Sequence, residues 1–124
     1  MTDEITLTIP RERDFRPVAH LVLSGLAVRL DLDIENLEDL QLALDALLDQ
    51  TDPEIDMGDL TVRMSLRDHE LQTRVGPLAS RLLDELEQEP GDDGLSLRRV
   101  LFSTVDDVLV DGSSVLLTKR VGRG

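Results

Sequence analysis

Residues 21–50 read LVLSGLAVRLDLDIENLEDLQLALDALLDQ. The reading of this stretch decides the fold. It divides into two helices joined by a short acidic turn, Asp31-Leu32-Asp33. In the second helix Leu37, Leu40, Leu44, Leu47 and Leu48 recur at steps of three, four or one. They therefore share one face of a 3.6-residue repeat. The rest of the chain is short strands and shorter helices that can pack against this pair.

The first helix is predicted from about Phe15 to Leu30, with Asp14 as its cap. Pro17 is tolerable there because it falls in the first turn. Gly25 lies mid-helix at a cost of about 1 kcal/mol against Ala, which suggests close helix packing. Asp33 or Asn36 can cap the second helix, which ends near Gln50, before Thr51-Asp52-Pro53.

Before this pair, EITLTI at residues 4–9 alternates: Ile5, Leu7 and Ile9 face one way, Thr6 and Thr8 the other. That is a half-buried strand. Arg11-Glu12-Arg13 reads as a charged connector. After the pair, DLTVRMSL (residues 59–66) alternates through Leu60, Val62, Met64 and Leu66. Arg67-Asp68-His69 turns the chain, and ELQTRV (residues 70–75) returns with Leu71, Thr73 and Val75 inward. Gly76-Pro77 stops it.

A short amphipathic helix follows from Leu78 to Gln88, with Leu78, Leu82, Leu83 and Leu86 on one side. Glu89–Gly94 is expected to be a mobile loop. Helical spacing resumes from Leu95 to Val105. Val108–Val110 and Ser114–Lys119 read as a hairpin turned at Asp111-Gly112, and Val121–Gly124 as a frayed tail. The order β, α, α, β, β, α, α, β, β predicts one α+β domain over residues 1–124. The architecture is a two-layer α/β sandwich, a mixed, mostly antiparallel sheet covered on one face by helices.

Composition narrows the function. The 124 residues hold no Cys, Trp or Tyr, and two Phe, Phe15 and Phe102, so the core is Leu and Val packing. Without Cys there is no disulfide, thiolate zinc site or cysteine nucleophile. The formal charge of −13 argues against nucleic acid, whose phosphates require Lys and Arg, and against an anionic membrane. No apolar run approaches the ~20 residues that span a bilayer. The first residues lack a signal peptide's apolar core, so the expected location is the cytoplasm. No HExxH, EF-hand, Walker or GxSxG pattern is present. The paired carboxylates Asp31/Asp33, Asp92-Asp93 and Asp106-Asp107 lie in turns.

Four stretches, LVLSGLAVRLDLDIENLEDLQLALD, LTVRMSLRDHELQTRV, GLSLRRVLFSTVDDVLV and GSSVLLTKRV, occur in the order of one known family. In them the chain resembles the bacterial anti-sigma-factor serine kinases of the GHKL (Bergerat-fold, histidine-kinase-like) ATPase superfamily. The resemblance implies that fold, a protein partner (a sigma factor or its antagonist) and a homodimer.

It also says where the chemistry should be. The family places a general-base Glu on helix 2, and a magnesium-ligating Asn four residues later. Here those positions are Ala46 and Gln50, and an alanine cannot take a proton. A register shifted by one offers Asp45 and Asp49 on one helix face. The family's adenine-binding Asp-x-Gly falls at Val75-Gly76-Pro77-Leu78, without the Asp. The glycine-rich phosphate lid is reduced to Gly94-Leu95-Ser96-Leu97, beside Asp92 and Asp93.

The candidate nucleotide residues are therefore Gln50, Asp49, Gly94 and Ser96, with no catalytic residue and no metal site. No cofactor is expected, although ATP with magnesium belongs to the family. Family members often carry Arg where this chain has His20, at a helix end associated with partner docking. Arg16 and His20, four apart, are the candidate partner-facing pair. The expectation is a binding regulator whose kinase activity is lost. The alternatives are an active ATP-dependent serine kinase and an α+β dimerisation module.

Overall fold

The computed structural model describes residues 3–50, 58–87 and 97–121. Ten strand positions set the layer boundary by parity. Ile9, Leu60, Val62, Met64, Leu71, Thr73, Val75, Val115, Leu117 and Lys119 are buried, while their neighbours Thr8, Arg63, Gln72 and Arg120 are not. The five strands are β1 (Asp3–Pro10), β2 (Asp59–Arg67), β3 (Glu70–Gly76), β4 (Asp107–Asp111) and β5 (Ser114–Arg120). They form one sheet in the order β1-β2-β3-β5-β4. All four ladders are antiparallel, so the described sheet has no parallel pair to make it mixed.

The helices are α1 (Arg16–Leu30), α2 (Ile34–Asp49), α3 (Ser80–Glu87) and α4 (Leu97–Thr104). Helix α2 packs between α1 and α4, and α4 also meets α3. Leu40, Ala43, Leu44, Leu47 and Leu48 of α2 are buried, with Leu37 packed at the margin. They join Leu23 and Leu26 of α1, Leu82, Leu83 and Leu86 of α3, and Leu97 and Leu101 of α4 over the inward strand residues. At roughly 1.5–3 kcal/mol per fully buried aliphatic side chain, this single core is the main stabilising term. The result is the expected α+β sandwich with its helices on one face.

Several local expectations change. Asp14 does not cap α1: the cap residue is Phe15, with no side-chain hydrogen bond. Arg13–Phe15 instead forms a 3-10 turn that leads directly into the helix, and Pro17 has no N–H to be capped. Asp33 caps α2, accepting from the Asn36 N–H at 2.8 Å. Gly25 faces solvent, and a Cβ there would meet nothing within 4 Å. The helix buries Ala19, Leu23, Leu26 and Ala27, which lie on the opposite side.

The β4–β5 turn is Gly112-Ser113, because Asp111 pairs with Ser114. Gly112 takes the first central position at φ 62, a left-handed conformation that glycine adopts at no steric cost. Val121 is not frayed: it is buried, and its N–H donates to the His69 carbonyl at 2.8 Å. Leu78 precedes α3 rather than opening it. The Glu89–Gly94 loop lies outside the described residues, as do residues 122–124.

Candidate functional site

One end of the sandwich gathers the described candidate residues Arg16, Asp49 and Gln50 with the Gly76-Pro77 segment. The antiparallel register puts Pro10 opposite Asp59, Thr61 opposite Gly76, and Val75 opposite Val115. The last residues of β1 and β3 and the first of β2 and β5 are therefore neighbours. The C-terminus of α2 and the start of α1 lie at this end, where Arg16 reaches Asp49.

The α2 C-terminus carries an electrostatic problem. Its exposed carbonyls make it partially negative, and Asp49 adds a carboxylate, yet the last turn has no basic residue. Two arginines from other elements supply the cations. Arg16, in the first turn of α1, pairs with Asp49 Oδ1. Arg81, in the first turn of α3, donates from Nη2 to the Gln50 carbonyl at 3.3 Å.

One turn further along the α1–α2 seam, His20 Nε2 lies 2.7 Å from Asp45 Oδ1. The two i, i+4 pairs expected separately, Arg16/His20 and Asp45/Asp49, thus face each other as two rungs between the helices. All four side chains are partly exposed, so the rungs lie at the surface rather than in the core.

Ala46 and Gln50 are placed differently. Ala46 packs half-buried against the core and has no donor or acceptor in its side chain. Gln50 is the C-cap residue and is exposed. Gly94 and Ser96 lie outside the described residues. Ala46, at the general-base position, has no titratable group, Gln50, at the magnesium position, presents a solvent-facing amide, and the neighbouring carboxylates Asp45 and Asp49 pair with His20 and Arg16. Among the described residues no three His, Asp or Glu side chains are grouped as a metal site requires, and no helix is long and apolar enough to cross a membrane.

Where the family's Asp-x-Gly would fall, Gly76 is held by a close approach: a Cβ there would lie 2.2 Å from Ser114 Oγ. Just beyond it, the Pro77 carbonyl accepts from Arg11 Nη2. Arg11 is buried, and its Nε and Nη1 have no hydrogen-bond partner. Sequence reasoning missed this residue by treating it as a solvated connector. The signal was its parity: Ile5, Leu7, Ile9 and Arg11 are successive inward positions. A buried donor without a partner costs about 1–3 kcal/mol.

Other acidic pairs have structural tasks. Asp31 takes the left-handed conformation that ends α1, at φ 56. Asp106 Oδ2 accepts from the Arg120 N–H at 2.6 Å.

Comparison with known proteins agrees with this architecture. No family model matches the chain. The serine-protein kinase RsbW of Listeria monocytogenes serotype 4a is 28% identical over 98% of this chain and 89% of its own length. The RsbW of Listeria innocua is 27% identical over the same shares. Among solved structures, the RsbU and RsbW domains of a Mycobacterium tuberculosis protein match with a TM-score of 0.69 at 13% identity. That match covers 98% of this chain, which spans 33% of the two-domain chain.

Proposed function

We propose that this chain is a distant member of the RsbW serine-protein kinase family, to which it is similar over 98% of its length, and that it acts as an anti-sigma-factor-like regulator that works by binding alone. Its partner in this reading is a sigma factor or the antagonist of an anti-sigma factor, and it acts as a homodimer. The observation that carries the loss of chemistry is Ala46. The position from which a general base would act has no titratable group, and Asp45 and Asp49, the nearest carboxylates, are paired with His20 and Arg16. In each pair one carboxylate oxygen is already engaged, so a substrate hydroxyl would have to compete for it.

Binding without catalysis agrees with the rest of the chain. A net charge of −13 favours encounter with a basic partner surface and raises its rate of association. Arg16 and His20 stand beside that field as the partner-facing pair.

The test combines calorimetry and gel filtration. ATP and ADP, with and without magnesium, should give no heat and no thermal shift. A site with Kd near 10 µM, saturated at 1 mM, would add about 2.7 kcal/mol. The chain should co-elute with a sigma factor or antagonist domain. Phosphate transfer to a partner serine would overturn the reading.

A further inference from the structure

Among the described residues no strand lies beyond β4, so β4 is an edge of the sheet. Residues 107–111 read DVLVD and pair with β5 alone. In an antiparallel ladder alternate residues turn their N–H and C=O groups toward the neighbouring strand. Asp111 and Ser114 close the two-residue turn, so residues 107, 109 and 111 bond toward β5. The backbone groups of Val108 and Val110 therefore point away from the sheet. Their side chains turn inward and pack at the margin of the core.

The side chains of Asp107, Leu109 and Asp111 stand on the open face of the sheet, and all three are exposed. Leu109 is 55% exposed and lies opposite Leu116. An apolar spot is thus set between two carboxylates, along an edge whose outward backbone groups have no ladder.

We propose that β4 is a docking edge that takes an extended segment of another protein as an added strand. That segment carries two basic residues around an apolar one, in the order basic-x-apolar-x-basic. The proposal goes beyond the regulator reading and does not rest on it. The edge belongs to the sheet layer, whereas the Arg16–Asp49 and His20–Asp45 pairs lie in the helix layer.

Backbone, charge and shape select this occupant. Main-chain bonds to Val108 and Val110 require an extended segment, since a helix bonds its own groups. Asp111 pairs with Arg74 through Oδ2 at 2.8 Å, which leaves its other oxygen for an incoming cation. The two x positions fall opposite Val108 and Val110 and face α3, which packs against β4, so β-branched residues suit them.

A second copy of the chain is the wrong occupant. An antiparallel β4–β4 pair centred on Leu109 sets Asp107 against Asp111 twice, and a parallel pair in register sets each aspartate against itself. Like charges directly opposite are destabilising. The net charge of −13, which repels a copy, attracts a basic segment. The other edge, β1, shows Glu4, Thr6 and Thr8 on this face and has no apolar anchor there.

The probe is a fluorescein-labelled peptide, Gly-Ser-Lys-Thr-Leu-Thr-Lys-Ser-Gly, titrated with the full chain at low salt. A five-residue strand is a small interface, so Kd is expected at roughly 100 µM. Amide exchange at Val108 and Val110 should slow in the complex, because their N–H groups gain acceptors. Asp107→Lys should weaken binding about tenfold with unchanged circular dichroism, since Asp107 is exposed. Leu109→Ser should weaken it severalfold.

Two control peptides separate docking from long-range attraction. One has Glu in place of both Lys; it should bind Asp107→Lys better than the wild type. The other has the central five residues reordered as Lys-Lys-Thr-Thr-Leu and keeps the charge; it should bind severalfold more weakly than the probe. Equal binding of the reordered peptide, or exchange protection outside β4 alone, would overturn the edge. No binding at about 1 mM peptide would overturn the proposal and leave the regulator reading standing.

Discussion

His20 and Asp45 meet across the α1–α2 seam, Nε2 to Oδ1 at 2.7 Å, one turn along from Arg16 and Asp49. The side chains are between 23% and 53% exposed, so water competes for each rung. Exposed pairs of this kind contribute about 0.2–1 kcal/mol. Asp45→Ala and Asp49→Ala should each lower stability by less than about 1 kcal/mol in urea unfolding. A loss above about 2 kcal/mol would mean that the rungs are sealed from solvent.

Gly25→Ala should stabilise the dilute protein. The position is mid-helix, exposed and uncrowded, so the gain is the helix propensity of Ala over Gly, about 1 kcal/mol. Thermal unfolding should shift up by about 2–8 °C. A decrease at concentrations where the chain is monomeric would place an unseen contact at this site.

Gly76→Ala should do the opposite. The new methyl would meet Ser114 at Oγ, at Cβ (2.9 Å) and at Cα (3.0 Å). Overpacking of this kind costs about 1–3 kcal/mol. Ser114→Gly removes two of the three obstacles, so Gly76→Ala/Ser114→Gly should recover part of the loss. A double-mutant cycle with no coupling would refute the contact.

Arg11→Met should leave stability unchanged or higher. The substitution keeps much of the aliphatic stem and removes two buried donors that have no partner, at the expense of one hydrogen bond to the Pro77 carbonyl. A loss of more than about 2 kcal/mol would show that those donors are satisfied in solution, for example by ordered water.

Much of the fold was legible because period alone carries it. The leucine face of α2, the alternation in β2 and β3, and the paired order of helices and hairpins all follow from spacing. What was not legible depended on more than one element. Gly25 reads as a packing glycine because α1 carries apolar residues on more than one face, so its sequence does not say which face turns inward. Arg16 with His20, and Asp45 with Asp49, could be placed on common faces of their own helices. That the faces oppose each other follows only from how α1 and α2 pack. Arg11 was hidden by its charge, since the parity of β1 predicted burial and the residue type predicted exposure. Asp68 and His69 turn β2 into β3 with φ of 51 and 64, a left-handed pair without glycine. Residue type alone does not announce that conformation.

The chain contains a single lysine, Lys119. It projects inward from β5, buried, with Nζ donating to Asp39 Oδ2 at 3.1 Å and to the Thr104 carbonyl at 2.8 Å. One ammonium thus ties the sheet to both α2 and α4. It also means that the only side-chain amine is about 10% exposed and engaged by two acceptors, so acylation at residue 119 should be slow in the folded protein and should quicken when the layers part.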